Sequence, residues 1–167
     1  MIYFDILTTE YGDIAIIANQ HGLQQVAFQQ GKAPAQIKPG YKPIDNQAPV
    51  HLHNAKQQLI EYFSGQRTSF DLPIAQQGTP FQQKVWQQLT TIPCGKTISY
   101  LELAQQIDNP KAIRAVGTAN GANKVAIIVP CHRVIGKDQT LTGYAGGIGL
   151  KAKLLMLEGA YFKPSIG

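Results

Sequence analysis

Along the first 78 residues, apolar positions fall into short strand-like runs before they take up a helical spacing. Ile2–Thr9, Gly12–Ala18 and Leu23–Phe28 are separated by turn signals and read as strands, with His21-Gly22 as a hairpin turn. A proline- and glycine-rich stretch from Gly31 to Pro49 reads as loop. Leu52, Ala55, Leu59, Tyr62 and Phe63 then recur at helical spacing, and Ser64-Gly65 closes that helix. Phe70–Ala75 is a candidate further strand. A boundary near Gln76-Gln77-Gly78-Thr79-Pro80 divides the chain into an expected first domain over 1–77 and a second over 78–167.

Beyond the boundary the predicted helices are short. Phe81, Val85, Trp86, Leu89 and Ile92 mark one amphipathic face, stopped by Pro93 and Gly95. Ser99-Tyr100-Leu101-Glu102 is a capping box that starts a helix through about Ile107. Asp108-Asn109-Pro110 then supplies a turn, an asparagine cap and a proline at the first helical position. A second helix runs from Lys111 to about Asn120 and ends at Gly121. Two short helices joined by a tight turn fit a helix-turn-helix, and they fit a plain helical hairpin too. Ala112, Ala115, Gly117 and Ala119 leave a slim helix able to lie close against a backbone, while Lys111 and Arg114 bring charge. That combination favours DNA.

Composition narrows the class. Of the 167 residues 44% are hydrophobic and 15% charged, enough apolar material for packed cores and too much for a disordered chain. The longest apolar runs, Ile14–Ala18 and Val125–Val129, fall far short of the ~20 residues a membrane span needs. Met-Ile-Tyr-Phe-Asp has neither the basic start nor the hydrophobic region of a signal peptide, so the expected location is the cytoplasm, without a membrane partner. The two cysteines, Cys94 and Cys131, cannot build a disulfide scaffold and lack CxxC metal spacing, so both are expected as free thiols. His51-x-His53 is expected to be exposed on the helix approach rather than to bind metal. No glycine-rich nucleotide loop follows a strand, and no cofactor or metal is expected. Charge is unevenly placed: residues 1–78 hold five Lys/Arg against six Asp/Glu, whereas 79–167 hold ten against four. A solvated surface would account for a modest excess; one confined to half the chain points to a polyanion.

The candidate chemistry lies where an apolar stretch, Ile127-Ile128-Val129, reads as a buried strand running into Pro130-Cys131-His132-Arg133-Val134. Cys131 could be a buried small hydrophobe, as many free cysteines are. Flanked by His132 and Arg133 it is also placed to have its pKa lowered and act as a nucleophile. On an extended chain His132 would face away from the Cys131 sulfur; a turn after Pro130 or a bridging water would repair this. Glu158 is an independent clue, because a carboxylate at the end of the predicted helix Ile148–Leu157 opposes the helix dipole and suggests a polar partner inside.

Pro130-Cys131-His132-Arg133-Val134 with its Ile-Val lead-in resembles the active-site signature of the O6-alkylguanine-DNA alkyltransferases, the methylated-DNA–protein-cysteine methyltransferase family. The likeness runs from Phe81 to Gly159. It takes in Ile92-Pro93-Cys94-Gly95, Ser99-Tyr100, Asn109-Pro110-Lys111-Ala112, Arg114-Ala115-Val116-Gly117, Gly121-Ala122-Asn123, Gly143-Tyr144-Ala145-Gly146-Gly147 and Leu157-Glu158-Gly159. The first half resembles the family's variable first domain in size and element order. The resemblance implies an α/β protein of two small domains: an N-terminal antiparallel sheet with a helix, RNase H-like, and a mostly helical, winged-helix-like DNA-binding domain carrying Cys131. It implies a single-turnover repair enzyme and a monomer. Cys131 would take the alkyl group irreversibly from O6 of guanine in double-stranded DNA, with O4-alkylthymine a further candidate substrate. The damaged base would be flipped from the minor groove. In this picture Arg114 fills the vacated stack, although a surface phosphate contact is the competing role. Tyr100 protonates N3 of the leaving guanine, although it could be an ordinary aromatic of a first helical turn. Glu158 orients His132, which acts through water on the thiol. Asn123 braces the active-site loop, and Tyr144, Ala145 and Gly146 close over the base. Main-chain groups of Cys131, Val134 and Ala145 touch its edge, and Asn109 and Lys111 join the DNA contact.

Two positions depart from the family pattern. Ala145 stands where some members have serine, so a contact there must use its backbone N–H, and Ala126 stands where some have a proline that packs against bulky substrates. Three rival functions fit less well. A non-transferring lesion binder would lack Cys131, a winged-helix regulator has no use for the Pro-Cys-His-Arg loop, and adjacent Cys and His is the wrong geometry for a hydrolase dyad.

Overall fold

The structure, a computed structural model, describes residues 1–164; the last three positions of the expected second domain lie outside the described residues. Two compact units emerge: residues 1–77 together with 124–126, and residues 78–123 together with 127 onward.

In the first unit β1 (Tyr3–Thr9), β2 (Gly12–Asn19) and β3 (Gly22–Phe28) form an antiparallel meander in the order β3-β2-β1. β2 is apolar without alternation because both its faces are covered. Ala15 and Ile17 pack with Ala27 and Ala35 on one side. Ile14 and Ile16 point the other way, towards α1 (Val50–Phe63), which buries Leu52, Ala55, Leu59 and Tyr62. The β2–β3 turn is held by the Asn19 side chain, which accepts from the N–H groups of His21 and Gly22. Gly22 has to be glycine: a Cβ there would sit 2.7 Å from the Pro73 carbonyl oxygen.

Three expectations for this unit need correction. The stretch Gly31–Pro49 is not all loop, since β4 (Lys42–Pro43) pairs parallel to β1 at the sheet edge. Pro43 is tolerated there because an edge strand leaves one side unpaired. Phe70–Ala75 forms no strand, only a bridge between Ile74 and Leu23, because Pro73 offers no N–H to a ladder. Nor is His51 exposed: it is buried in the first turn of α1 with Nε2 2.7 Å from the Asn19 carbonyl, while exposed His53 meets the Asp45 carbonyl.

The second unit is built on α2 (Pro80–Leu89), α3 (Tyr100–Gln106) and α4 (Ile113–Gly121). Thr79 caps α2 through a reciprocal box with Gln82, and Ser99 caps α3 in the same way with Glu102. The Trp86 indole N–H donates to the Ala119 carbonyl at 2.8 Å and ties α2 to α4. The turn between α3 and α4 is longer than expected. Asp108 adopts a left-handed φ of 58°, and the Asn109 carbonyl accepts from Ala112 N–H. Asn109 through Ala112 are thus a turn of their own, and α4 starts at Ile113 without a side-chain cap. A small parallel pair, β5 (Ile98–Ser99) with β6 (Val134–Ile135), joins the start of α3 to the segment after Cys131. α5 (Ile148–Glu158) closes the described fold, with Gly159 as its left-handed cap. Among the described residues no helix is long and apolar enough to cross a membrane.

Candidate active site

The apolar run before Cys131 is buried but is not a strand. Val125 makes a single bridge with Val26, and Ile127 takes a left-handed φ of 69°, which breaks any extension. For a β-branched residue this is a strained conformation that the surrounding packing must hold. A 3-10 turn then spans Cys131–Arg133, closed by Arg133 N–H onto the Pro130 carbonyl. The turn is what frees Cys131, His132 and Arg133 from strand alternation, so that neighbouring residues can serve one site.

Cys131 is buried, and burial pushes its thiol pKa up. A hydrogen bond from the Asn123 side chain and the charge of Lys151 oppose that rise. The expected lowering by flanking His132 and Arg133 does not operate, because both side chains are committed to Glu158. Cys94, half-buried in the turn after Pro93, also has its thiol raised by burial.

At the end of α5, the Glu158 carboxylate is fully buried and accepts hydrogen bonds from His132 and Arg133. His132 Nε2 lies 2.7 Å from Oε2, Arg133 Nε lies 2.9 Å from Oε1, and Arg133 Nη2 lies 3.1 Å from Oε2. Burial would raise this carboxyl, but the bonds from His132 and Arg133 and the guanidinium charge bring it down to about 2. Burial holds the His132 imidazole below its usual value against the pull of Glu158, so the ring is neutral at pH 7. A neutral ring that donates from Nε2 has Nδ1 as its basic nitrogen, and Nδ1 is buried with no hydrogen-bond partner among the described residues. Arg133 Nη1 also donates to the Ile92 carbonyl at 2.6 Å, tying the turn to the end of the α2 region.

Other side chains hold the turn by its backbone. Asn123 Nδ2 donates to the Val129 carbonyl at 2.8 Å, and Asn120 Nδ2 to the Cys131 carbonyl at 3.3 Å. Lys151, wholly buried on α5, donates from Nζ to the Val134 carbonyl at 2.7 Å and the Thr142 carbonyl at 3.3 Å. Burial lowers its pKa to about 8 against the pull of the nearby Cys131. Asn120, Lys151 and Thr142 were not among the residues singled out from the sequence. No sequence signal singles out Lys151, since Lys153 lies two positions on along the same leucine-rich helix.

Tyr100 sits at the first turn of α3 with its ring against α4, close enough that a Cβ on Gly117 would lie 3.7 Å away. Its hydroxyl lies 2.7 Å from Thr142 Oγ1, and burial raises its pKa. The Tyr144 hydroxyl is buried without a partner among the described residues, and its ring stands edge-on to His132 at 6.4 Å. Gly146 leaves room for that loop, since a Cβ would come within 2.6 Å of Leu150 and 3.0 Å of Tyr144. Ala145 is exposed and Val134 is buried. Asn109, Lys111 and Arg114 are exposed around the turn and first residues of α4, and the two cations make no ion pair among the described residues.

Residues 80–160 match the family described as 6-O-methylguanine DNA methyltransferase, DNA binding domain, and residues 2–76 match its ribonuclease-like domain. The chain is 46% identical over 157 residues to a methylated-DNA–protein-cysteine methyltransferase of Methanosarcina barkeri, covering 94% of this chain and 97% of that one. It is 43% identical over 164 residues to the constitutive methylated-DNA–protein-cysteine methyltransferase of Bacillus subtilis, covering 98% and 99%. The crystal structure of Mycobacterium tuberculosis OGT in complex with DNA superposes with a TM-score of 0.84 at 41% identity, covering 94% of this chain and 92% of that one.

Proposed function

We propose a residue-level mechanism on one premise: the chain belongs to the 6-O-methylguanine DNA methyltransferase family. Its activity is that of a methylated-DNA–protein-cysteine methyltransferase, alkyl transfer that repairs DNA. Cys131 is the acceptor. Because its buried thiol is protonated at rest, deprotonation is coupled to the attack, the proton passing through a water to Nδ1 of His132. Glu158 holds the imidazole in the tautomer that leaves Nδ1 free to accept. Sulfur attacks the alkyl carbon in line, the carbon–O6 bond breaks, and its electron pair stays on the guanine. Tyr100 donates a proton to N3 of that leaving base and recovers one from solvent. The spent thioether has no regenerating group beside it, so each molecule acts once.

Arg114 enters the duplex from the minor groove and fills the space of the flipped guanine, with Asn109 and Lys111 on the flanking backbone. Tyr144, Ala145, Gly146 and Val134 line the pocket that receives the base, and Asn123 keeps the turn beneath it in place. The protein works as a cytoplasmic monomer, with O4-alkylthymine a second substrate. The observation that carries the reading is the 2.7 Å bond from His132 to Glu158 beside a buried cysteine, with the other ring nitrogen unbonded among the described residues. Peptide mapping by mass spectrometry after reaction with O6-methylguanine duplex tests it: one added methyl is expected, on the Cys131 peptide. A methyl on the Cys94 peptide, or product beyond one equivalent of protein, would overturn it. A duplex with O4-methylthymine tests the second substrate in the same assay.

A further inference from the structure

The proton donor of this mechanism, Tyr100, is not alone. Its hydroxyl lies 2.7 Å from Thr142 Oγ1 in the loop that follows β6. The Thr142 backbone is itself anchored, because its carbonyl accepts from the buried Lys151 ammonium, which also holds the Val134 carbonyl. Tyr100 is thus braced on both sides, by α4 at Gly117 and by a threonine whose main chain is tied to the Cys131 segment.

We propose that Thr142 is a positioning residue for the transfer reaction: its hydroxyl donates a hydrogen bond to the Tyr100 oxygen as that oxygen gives up its proton. The inference rests on Tyr100 being the donor to the leaving base. Before transfer either hydroxyl can serve as the donor of the pair. Once the Tyr100 proton moves to the base, the phenolate oxygen can only accept, and the Thr142 hydroxyl is the group already in reach. A hydrogen bond to an ionised oxygen is stronger than one to a neutral oxygen, so the contact strengthens as the reaction proceeds. An interaction gained on the way to the transition state appears in the rate and not in the affinity. No bond in Thr142 is broken, and its proton stays on Oγ1 throughout.

The test is a single-turnover rate and a duplex affinity for the wild type, Thr142→Val, Thr142→Ser, Tyr100→Phe, and Tyr100→Phe combined with Thr142→Val. Thr142→Val keeps the shape and loses the hydroxyl, and it is expected to react about tenfold more slowly with unchanged affinity. Thr142→Ser restores the hydroxyl and is expected near the wild-type rate. With Tyr100→Phe already present, Thr142→Val should add no further loss. A wild-type rate for Thr142→Val, or the same loss in both backgrounds, overturns the role of Thr142 while leaving Tyr100 as donor. A wild-type rate for Tyr100→Phe overturns the donor reading itself.

Discussion

At Glu158 burial and bonding pull against each other, and bonding wins by moving the carboxyl from 4.5 to about 2. A carboxyl whose folded value lies below its unfolded one contributes stability that is complete above the unfolded value. That contribution is lost as pH falls from about 5 towards 2. Glu158→Gln should therefore flatten the decline in urea-derived stability below about pH 5. It should also weaken the protein at pH 7, where Arg133 would stay buried without its counterion. A variant with the wild-type acid profile would show that the carboxylate contributes nothing through this network. At Cys131 the chemistry and the binding separate. On the proposed mechanism, Cys131→Ser should end alkyl transfer while duplex affinity stays within a few fold, since the phosphate contacts that supply affinity are left in place. Residual transfer measured by mass spectrometry would move the acceptor to Cys94.

Among the elements, α2 and α4 are locked by one ring. Trp86 is pinned by its bond to Ala119, and Gly78 lies under it so closely that a Cβ would stand 2.5 Å from the indole. The ring cannot swing aside without losing its hydrogen bond. Gly78→Ala should cost ~1–3 kcal/mol in thermal or urea denaturation, and a neutral result would mean the indole has room that the geometry denies it. On α4 the exposed Arg114 has a different task in the proposed mechanism. Arg114→Ala should slow reaction with duplex substrate far more than reaction with free O6-benzylguanine, which needs no extrusion from a stack. Equal losses on both would reduce Arg114 to an ordinary phosphate contact.

For the molecule as a whole, the proposed single turnover leaves a spent protein with a larger side chain at a buried cysteine. Cys131 is only 7% exposed, and His132 Nδ1 and the Tyr144 hydroxyl, unpartnered among the described residues, are buried in the same segment of the chain or its closing loop. One added carbon there should overpack the site and cost ~1–3 kcal/mol, lowering Tm by several degrees. Calorimetry before and after reaction, with Cys131→Ser as the unreactive control, reads this directly. An unchanged Tm would mean the pocket already has space for the group it receives.

Local rules reached far into this chain. The three strands and α1 follow from apolar period and turn residues, the box at Ser99 from Ser-x-x-Glu, and the need of Glu158 for a polar partner from its place at a helix C-terminus. These depend on neighbours a few positions apart, so the amino-acid order alone determines them. Elsewhere partners distant in sequence decided the outcome. Val125–Val129 has the composition of a strand, yet it makes only a bridge to Val26 before Ile127 turns left-handed. Arg133 looked like an activator of the adjacent thiol, but Glu158, 25 residues away, claims its charge. Lys151 and Thr142 carry no local mark of function. They matter because folding brings an ammonium under two carbonyls and a threonine hydroxyl onto Tyr100, 42 residues away, and no periodicity along the chain encodes a contact of that span.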